Sequence, residues 1–563
     1  MAVIAYYSME IALRSDIPTY SGGLGVLAGD LLRTAADLQV PMVGVGLCYR
    51  KGHFRQRIDG EGWQQESPVA WTVEDHLRPA APRVTVTIEG RTVHLRAWEY
   101  RFRGPKGSEV PVYLLDSDLP ENAEADRALT HTLYGGDGRY RLCQEIILGL
   151  GGVRMLRALG HHDLRRFHMN EGHAGLLTLE LLTERLRADT RRGLTAEDEA
   201  AVRQQCVFTT HTPVPAGHDR FPMDLVRKVL GPHPAFEALP QHYGGADGVL
   251  DLATVGLGMS GYVNGVARRH AEIARRLYGR PEIDWITNGV HLDTWAAPEL
   301  QALFDQYVPH WRDDNLNLRH AMGIPLTELW MAHQAAKARL IQAVRQRTGV
   351  ALKPEVLTLG FARRATPYKR AGLLFHDPER LKGLAAKAGG LQILYSGKAH
   401  PREQEGKAMI HQVVQAARAL APAVTVAYLE DYDLALGQLL TAGVDIWVNN
   451  PRPPLEASGT SGMKAAVNGV PSVSVLDGWW VEGHLEGVTG WAIGPFEPNP
   501  PESRDDAADA GRLYDVLTHK VVPLYAIDRH RFTEVMRSSI ALNGSYFNTQ
   551  RMLRQYVTNA YLG

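Results

Sequence analysis

Several short stretches hold side chains whose types and spacing suit chemistry on an anion. In "EASGTSGMKAAVNG", residues 456–469, a carboxylate, two hydroxyl residues among glycines and one lysine, Lys464, precede helix-forming residues. The "SGTSG" part suits a backbone nest for a phosphate that leads into a helix starting near Met463. A lysine in that first turn would meet the positive end of the helix dipole, lose proton affinity and become nucleophilic enough to form a Schiff base. A solvated lysine is the commoner fate, so both readings stand. "FARRATPYKR", residues 361–370, follows a strand-like run and delivers Arg363, Arg364, Lys369 and Arg370, either as a phosphate clamp or as a solvated basic turn. "YSGKAH", residues 395–400, repeats the arrangement with Lys398 after the next strand-like run, which favours the clamp. "SGGLG", Ser21 to Gly25, is an anion loop or a tight strand-to-helix turn. "NEGHAG" and "TNGVHLDTW" place His173, Asn288 and His291 after strand-like runs, as ligand contacts or as packing groups. None of these stretches has the HExxH spacing of a metal site.

These stretches need elements to position them. Apolar runs at 355–363, 391–397, 423–431, 444–450 and 471–478 alternate with longer segments of helical spacing, the pattern of a doubly wound parallel sheet. In the first half "MAVIAYYS" and "VPMVGVGLCYR" read as strands around a glycine loop and helix, while alternation around residues 65–115, with Gly90 at a turn, reads as a β-rich insertion. The expected organisation is an α/β domain over 1–289, a second Rossmann-like domain over 290–530 and a helical segment over 531–563 packed across the seam. Residues 496–510 read as a surface loop. A ligand cleft is expected between the halves, at the carboxyl ends of the strands.

Composition narrows the function classes. The chain has 563 residues with 45% hydrophobic and 22% charged, ordinary globular values. Lys plus Arg number 61 against 62 Asp plus Glu, so the formal net charge of -1 offers no global field for nucleic acid or an anionic membrane. Cys48, Cys143 and Cys206 are far apart and lack CxxC spacing, which suits buried thiols in a reducing compartment. The N-terminus lacks a basic signal region, and no apolar run spans a bilayer, so a cytoplasmic location is expected.

Taken together and in order, these stretches resemble the α-glucan phosphorylases, the family of glycogen, starch and maltodextrin phosphorylases. "EASGTSGMK" is similar to that family's pyridoxal phosphate motif, and the agreement runs from "YYSMEIAL" and "YSGGLGVLAGD" through "GHFRQRID", "RLCQEIILGLGGVR" and "VNGVARRHAEI" to "LEDYDLALGQLL". The resemblance implies two Rossmann-like domains facing a central cleft, a glycosyltransferase B arrangement. It implies pyridoxal 5'-phosphate on Lys464, phosphate binding by Arg364, Lys369 and the amides of Thr460 and Ser461, and cofactor contacts from Tyr432, Lys398, Tyr6, Gly22 and Gly23. Glu456, Ser458, Gly459, Asn288, Tyr368, His173 and Leu24 would hold the glucosyl unit, with Lys464, Arg364, Lys369 and His173 as the catalytic set. The implied reaction is phosphorolysis of an α-1,4-glucan by inorganic phosphate, giving α-D-glucose 1-phosphate with retention, in a homodimer. The paired carboxylates of a glycosidase do not stand out, and phosphates do that work in the family. A chain that starts almost at "YYSMEIAL" is expected to lack the control segment of animal enzymes. The rival readings are a nucleotide-sugar glucosyltransferase of the same fold and a glucan-binding protein without turnover.

Overall fold

The computed structural model describes residues 3–188, 193–213, 218–238, 240–243, 248–500 and 505–562. The first lobe is built on strands β1 (Ile4–Ser8), β2 (Met42–Leu47), β3 (Arg78–Ile88), β4 (Arg91–Arg103), β5 (Glu109–Asp116), β6 (Arg166–Asn170), β7 (Cys206–Thr209), β8 (Tyr262–Gly265) and β9 (Asp284–Trp285). They form one sheet in the order β9-β8-β7-β6-β1-β2-β5-β4-β3. Strands β1 and β2 are buried at every position, as strands covered on both faces must be. From β5 to β9 every pairing is parallel, whereas β3 and β4 join antiparallel at one edge. The β-rich stretch around 65–115 thus extends the main sheet at one edge. Its hairpin turns at Glu89 and Gly90, both at positive φ (50° and 76°), a geometry that twists with the strands.

The second lobe has β10 (Thr358–Ala362), β11 (Gln392–Ser396), β12 (Thr425–Leu429), β13 (Ile446–Asn449), β14 (Ser472–Ser474) and β15 (Gly490–Ala492). All are parallel in the order β12-β11-β10-β13-β14-β15, the doubly wound arrangement. The same winding runs through β5-β2-β1-β6-β7-β8 of the first lobe. Each sheet therefore has one switch point, between β1 and β6 and between β10 and β13, where the strand ends open a crevice.

Four helices border these crevices or join the lobes: α1 (Gly23–Asp37), α2 (Thr460–Val467), α3 (Arg529–Ser538) and α4 (Thr549–Tyr556). Helix α3 buries Phe532, Val535 and Met536 in the core of the second lobe, while α4 buries Met552, Leu553 and Tyr556 with Ile4 and Tyr6 of the first. The chain end thus ties both lobes together. Residues 501–504 of the expected 496–510 loop lie outside the described residues, and a helix already opens at Asp506. Cys48, Cys143 and Cys206 are buried free thiols. Among the described residues no helix is long and apolar enough to cross a membrane.

Candidate active site

At the switch point of the second lobe, the chain leaves β10 at Arg363 and β13 at Asn449, and the Arg363 guanidinium donates to the Asn449 side-chain oxygen. The other arm of Arg363 lies 2.7 Å from Glu456 Oε2, and Lys369 Nζ lies 2.6 Å from the same oxygen. Burial pushes the Glu456 carboxyl up, but Arg363 and Lys369 outweigh it and hold the group below the usual carboxylate range. The loop that carries Glu456 is pinned by Asp477, whose carboxyl accepts the N–H groups of Glu456 and Gly478, each at 2.9 Å. Burial raises Asp477 to about 7. Gly478 must be glycine: it sits at φ 55°, and a Cβ there would stand 2.4 Å from the Ser458 carbonyl oxygen.

Helix α2 starts from Gly459, which adopts φ 87°, and no side chain caps its first turn. The N–H groups of that turn, at Thr460 and Ser461, have no partner within the helix itself. The Ser461 hydroxyl accepts the Trp447 indole N–H at 3.1 Å. Lys464 is the fifth residue of the helix, not in its first turn as expected, so the helix dipole is not what acts on it. Burial does: the side chain is 5% exposed, and its pKa is pushed down to about 8 while Asp30 of the first lobe pulls the other way. Its Nζ stands 4.0 Å over the Trp295 ring and makes no hydrogen bond among the described residues. Asn468 fixes the end of α2 by donating to the carbonyls of Lys464 (2.9 Å) and Trp295 (2.8 Å).

The remaining cations divide. Arg364 is exposed and makes no ion pair or hydrogen bond among the described residues. Lys398 contacts Asp431 at 2.6 Å and donates to the Phe54 carbonyl at 3.0 Å. Arg370 turns away to Asp509 (2.7 Å) and Asp506 (3.0 Å) and is structural. Tyr368 lies under Lys369, 4.4 Å from ring centroid to Nζ. Tyr432 is half-buried, and burial pushes its phenol up.

Facing this, the β1/β6 switch point of the first lobe joins Asn170 Nδ2 to Ser8 Oγ at 3.1 Å. The glycine loop before α1 is filled from within: Glu10 Oε2 accepts the N–H groups of Ser21 (2.5 Å) and Gly22 (2.9 Å). Two of its amides, those of Ser21 and Gly22, are thus taken by an internal carboxylate, while those of Gly23 and Leu24, in the first turn of α1, have no partner within the helix. Gly22 and Gly23 border open space, with no atom within 4 Å of where a Cβ would stand, and Leu24 is half-buried beside them. The expectation for Tyr6 is corrected. Its ring packs edge-on against His168 with centroids 4.8 Å apart and lies in the core beneath α4, because successive strand residues face opposite sides of the sheet. His173 Nε2 lies 3.1 Å from Asp219. His173 Nδ1, Asn288 Oδ1 and Ser458 Oγ are buried polar atoms without a partner, which a hydroxyl-rich ligand would satisfy. His291 turns to Asp37 and Thr294, each at 2.7 Å.

Sequence reasoning passed over Asp30, Trp295, Asn449 and His211. His211 Nε2 meets Asn170 Oδ1 at 2.6 Å, and burial lowers its pKa to about 3, so the ring is neutral near pH 7. Its signal was a histidine just past an apolar strand, "VFTTHT". The two faces touch: Tyr20 Oη accepts the Leu434 N–H (3.0 Å), and a hairpin of Arg55–Ile58 and Gln64–Ser67 reaches over, with Gln56 Nε2 donating to the Gly397 carbonyl (2.9 Å) and Gln64 Nε2 to that of Ala399 (2.9 Å). The site is therefore an interlobe cleft lined by buried cations on one side and by unpartnered polar groups from both.

The sequence matches the carbohydrate phosphorylase family over residues 12–120 and 244–487. It is 38% identical to a maltodextrin phosphorylase of Thermococcus litoralis across 99% of this chain and 70% of that protein. A glycogen phosphorylase of Mycobacterium tuberculosis is 36% identical over the same shares. An uncharacterized protein of Methanocaldococcus jannaschii is 30% identical across 100% of both chains.

Proposed function

Since this chain belongs to the carbohydrate phosphorylase family, we propose that it cleaves α-1,4-glucan from the non-reducing end with inorganic phosphate, giving α-D-glucose 1-phosphate with retention, as a cytoplasmic homodimer. One observation carries the reading: Lys464 is a buried lysine without a hydrogen-bond partner among the described residues, on a helix whose first turn has no side-chain cap. That donor set fits pyridoxal 5'-phosphate, an aldehyde with a phosphate arm. Lys464 would hold the aldehyde carbon, and the Thr460 and Ser461 amides with Arg364 the phosphate. When bound, the cofactor supplies a phosphate that exchanges a proton with the substrate phosphate.

The protein's own groups do the rest. Glu456, kept ionised by Arg363 and Lys369, accepts hydrogen bonds from sugar hydroxyls and is no general acid. Asn288, Ser458 and His173 offer their unpartnered atoms to the glucosyl unit, with the backbone of Gly459 and the side chains of Tyr368 and Leu24 around it. Lys369 is shared: an arriving phosphate competes with Glu456 for its ammonium and gains the free Arg364. Lys398 and Tyr432 border the cofactor region. Paired phosphates repel, and these cations in a site closed by two lobes offset that repulsion as the oxocarbenium-like centre forms.

The test is release of glucose 1-phosphate from maltodextrin with and without phosphate, on protein whose absorbance is recorded above 300 nm. Phosphate-dependent release is expected together with a cofactor band. Release that ignores phosphate would overturn the reading, and the absence of any band would shift it to a nucleotide-sugar transferase.

A further inference from the structure

Asp30 lies in the second turn of α1 and is 1% exposed. Its Oδ2 accepts the Trp295 indole N–H at 2.7 Å and the His291 backbone N–H at 3.2 Å. Its Oδ1 lies 3.4 Å from Arg33, but Arg33 also donates to the carbonyls of Ala12 and Leu13 at 3.1 and 2.5 Å, so its charge is shared. Seven residues on, and on the same face of α1, Asp37 holds the His291 ring at 2.7 Å. Two carboxylates of the first lobe thus grip residues 291–295, and the ring that Asp30 holds, Trp295, is the one over which Lys464 stands. Trp295 is held from the other side by Asn468 at its carbonyl oxygen.

We infer that Asp30 is a positioning residue for the reactive lysine: through the Trp295 indole it sets where the Lys464 amine stands, and it supplies the negative charge that acts on that amine from across the lobe boundary. This rests on the reading of Lys464 given above. Three features support it. Among the described residues the indole N–H has a single acceptor, Asp30. The ammonium lies over the face of that same ring, where a cation is attracted. Among the described residues Asp30 is also the charged group that acts on Lys464 against the effect of burial.

The experiment reads Lys464 itself rather than turnover. Protein treated with hydroxylamine to strip bound aldehyde is labelled with acetic anhydride across pH, and the Lys464 peptide is followed by mass spectrometry. Asp30→Asn keeps an oxygen for the indole but loses the charge, and its Lys464 labelling midpoint is expected about half a pH unit or more below that of the parent. Pyridoxal phosphate, added to the same proteins and followed by absorbance, is expected to dissociate about tenfold faster from Asp30→Ala and from Trp295→Phe, with no further gain in the double variant, since both changes delete one bond. A labelling profile of Asp30→Asn that superimposes on the parent, or additive effects in the double variant, would overturn the inference. Loss of cofactor binding in the parent would sink the functional reading instead, while the labelling profile would still judge Asp30.

Discussion

Each lobe has a strand, a glycine-rich loop and a helix at its switch point, and the two loops end differently. At α1 the loop closes on Glu10, whose carboxylate takes the Ser21 and Gly22 amides and is held from behind by the Tyr134 hydroxyl at 2.9 Å. At α2 the nearby carboxylate, Glu456, instead faces Arg363 and Lys369, and the first turn keeps no side-chain cap. A helix N-terminus favours an anion in either case. In the first lobe the chain sets a carboxylate against the two amides just before α1, whose first turn, like that of α2, has no side-chain cap; in the second it gathers cations around the start of the helix. The same local pattern is therefore braced by a carboxylate in one lobe and, on the proposed reading, ringed by cations for ligand binding in the other.

The largest effect is expected at Lys464. Lys464→Met should lower glucose 1-phosphate release by about 10³-fold or more, about 4 kcal/mol of barrier. In cofactor-free protein it should also raise stability near pH 7, because a folded pKa of about 8 against an ordinary 10.5 marks a burial cost of about 3 kcal/mol. For a base whose folded pKa is depressed, that cost is full below pH 8 and fades as pH rises toward 10.5, so the two melting curves should converge in that window. A variant less stable than the parent at pH 7 would show that Lys464 is better satisfied than its surroundings indicate.

A matched pair of glycines comes next. Gly459→Ala forces φ 87° on a residue with a Cβ, which would stand 3.2 Å from Glu456 Oε1, and should cost about 1–2 kcal/mol in urea unfolding as well as activity. Gly22→Ala, at φ -148° with open space around it, should stay within about 0.5 kcal/mol. Equal losses would erase the contrast between the loops. The smallest change is Glu10→Gln, which keeps the shape of the stopper and removes its charge: a loss of about 0.5–1 kcal/mol in urea unfolding. No loss would mean that the first loop does not need its anion.

Much of the fold was legible because parallel strands covered on both faces read as unbroken apolar runs, and all five runs of the second half became strands β10 to β14. The β-rich stretch was visible by its alternation, but its place at the edge of the main sheet was not, since alternation marks a strand but not its neighbour. At the site, the local segments around Glu456, Lys464 and Lys369 were visible as motifs. Asp30 and Trp295 were not, because an aspartate inside an amphipathic helix and a tryptophan after a loop are ordinary until they meet across 265 positions. Tyr6 failed for the opposite reason: its place in a recognisable stretch said nothing about which face of β1 it occupies.

By itself the sequence determined the α/β alternation, the two glycine loops and the collection of cations at strand ends, because periodicity and turn chemistry are local properties of a few neighbouring residues. Only the tertiary structure decided that Glu10 stoppers one loop, that Glu456 draws in Arg363 and Lys369, and that Lys464 is buried over Trp295 under the influence of Asp30. Burial and charge pairing depend on which distant segments the two lobes bring within a few ångströms, and no local pattern records that.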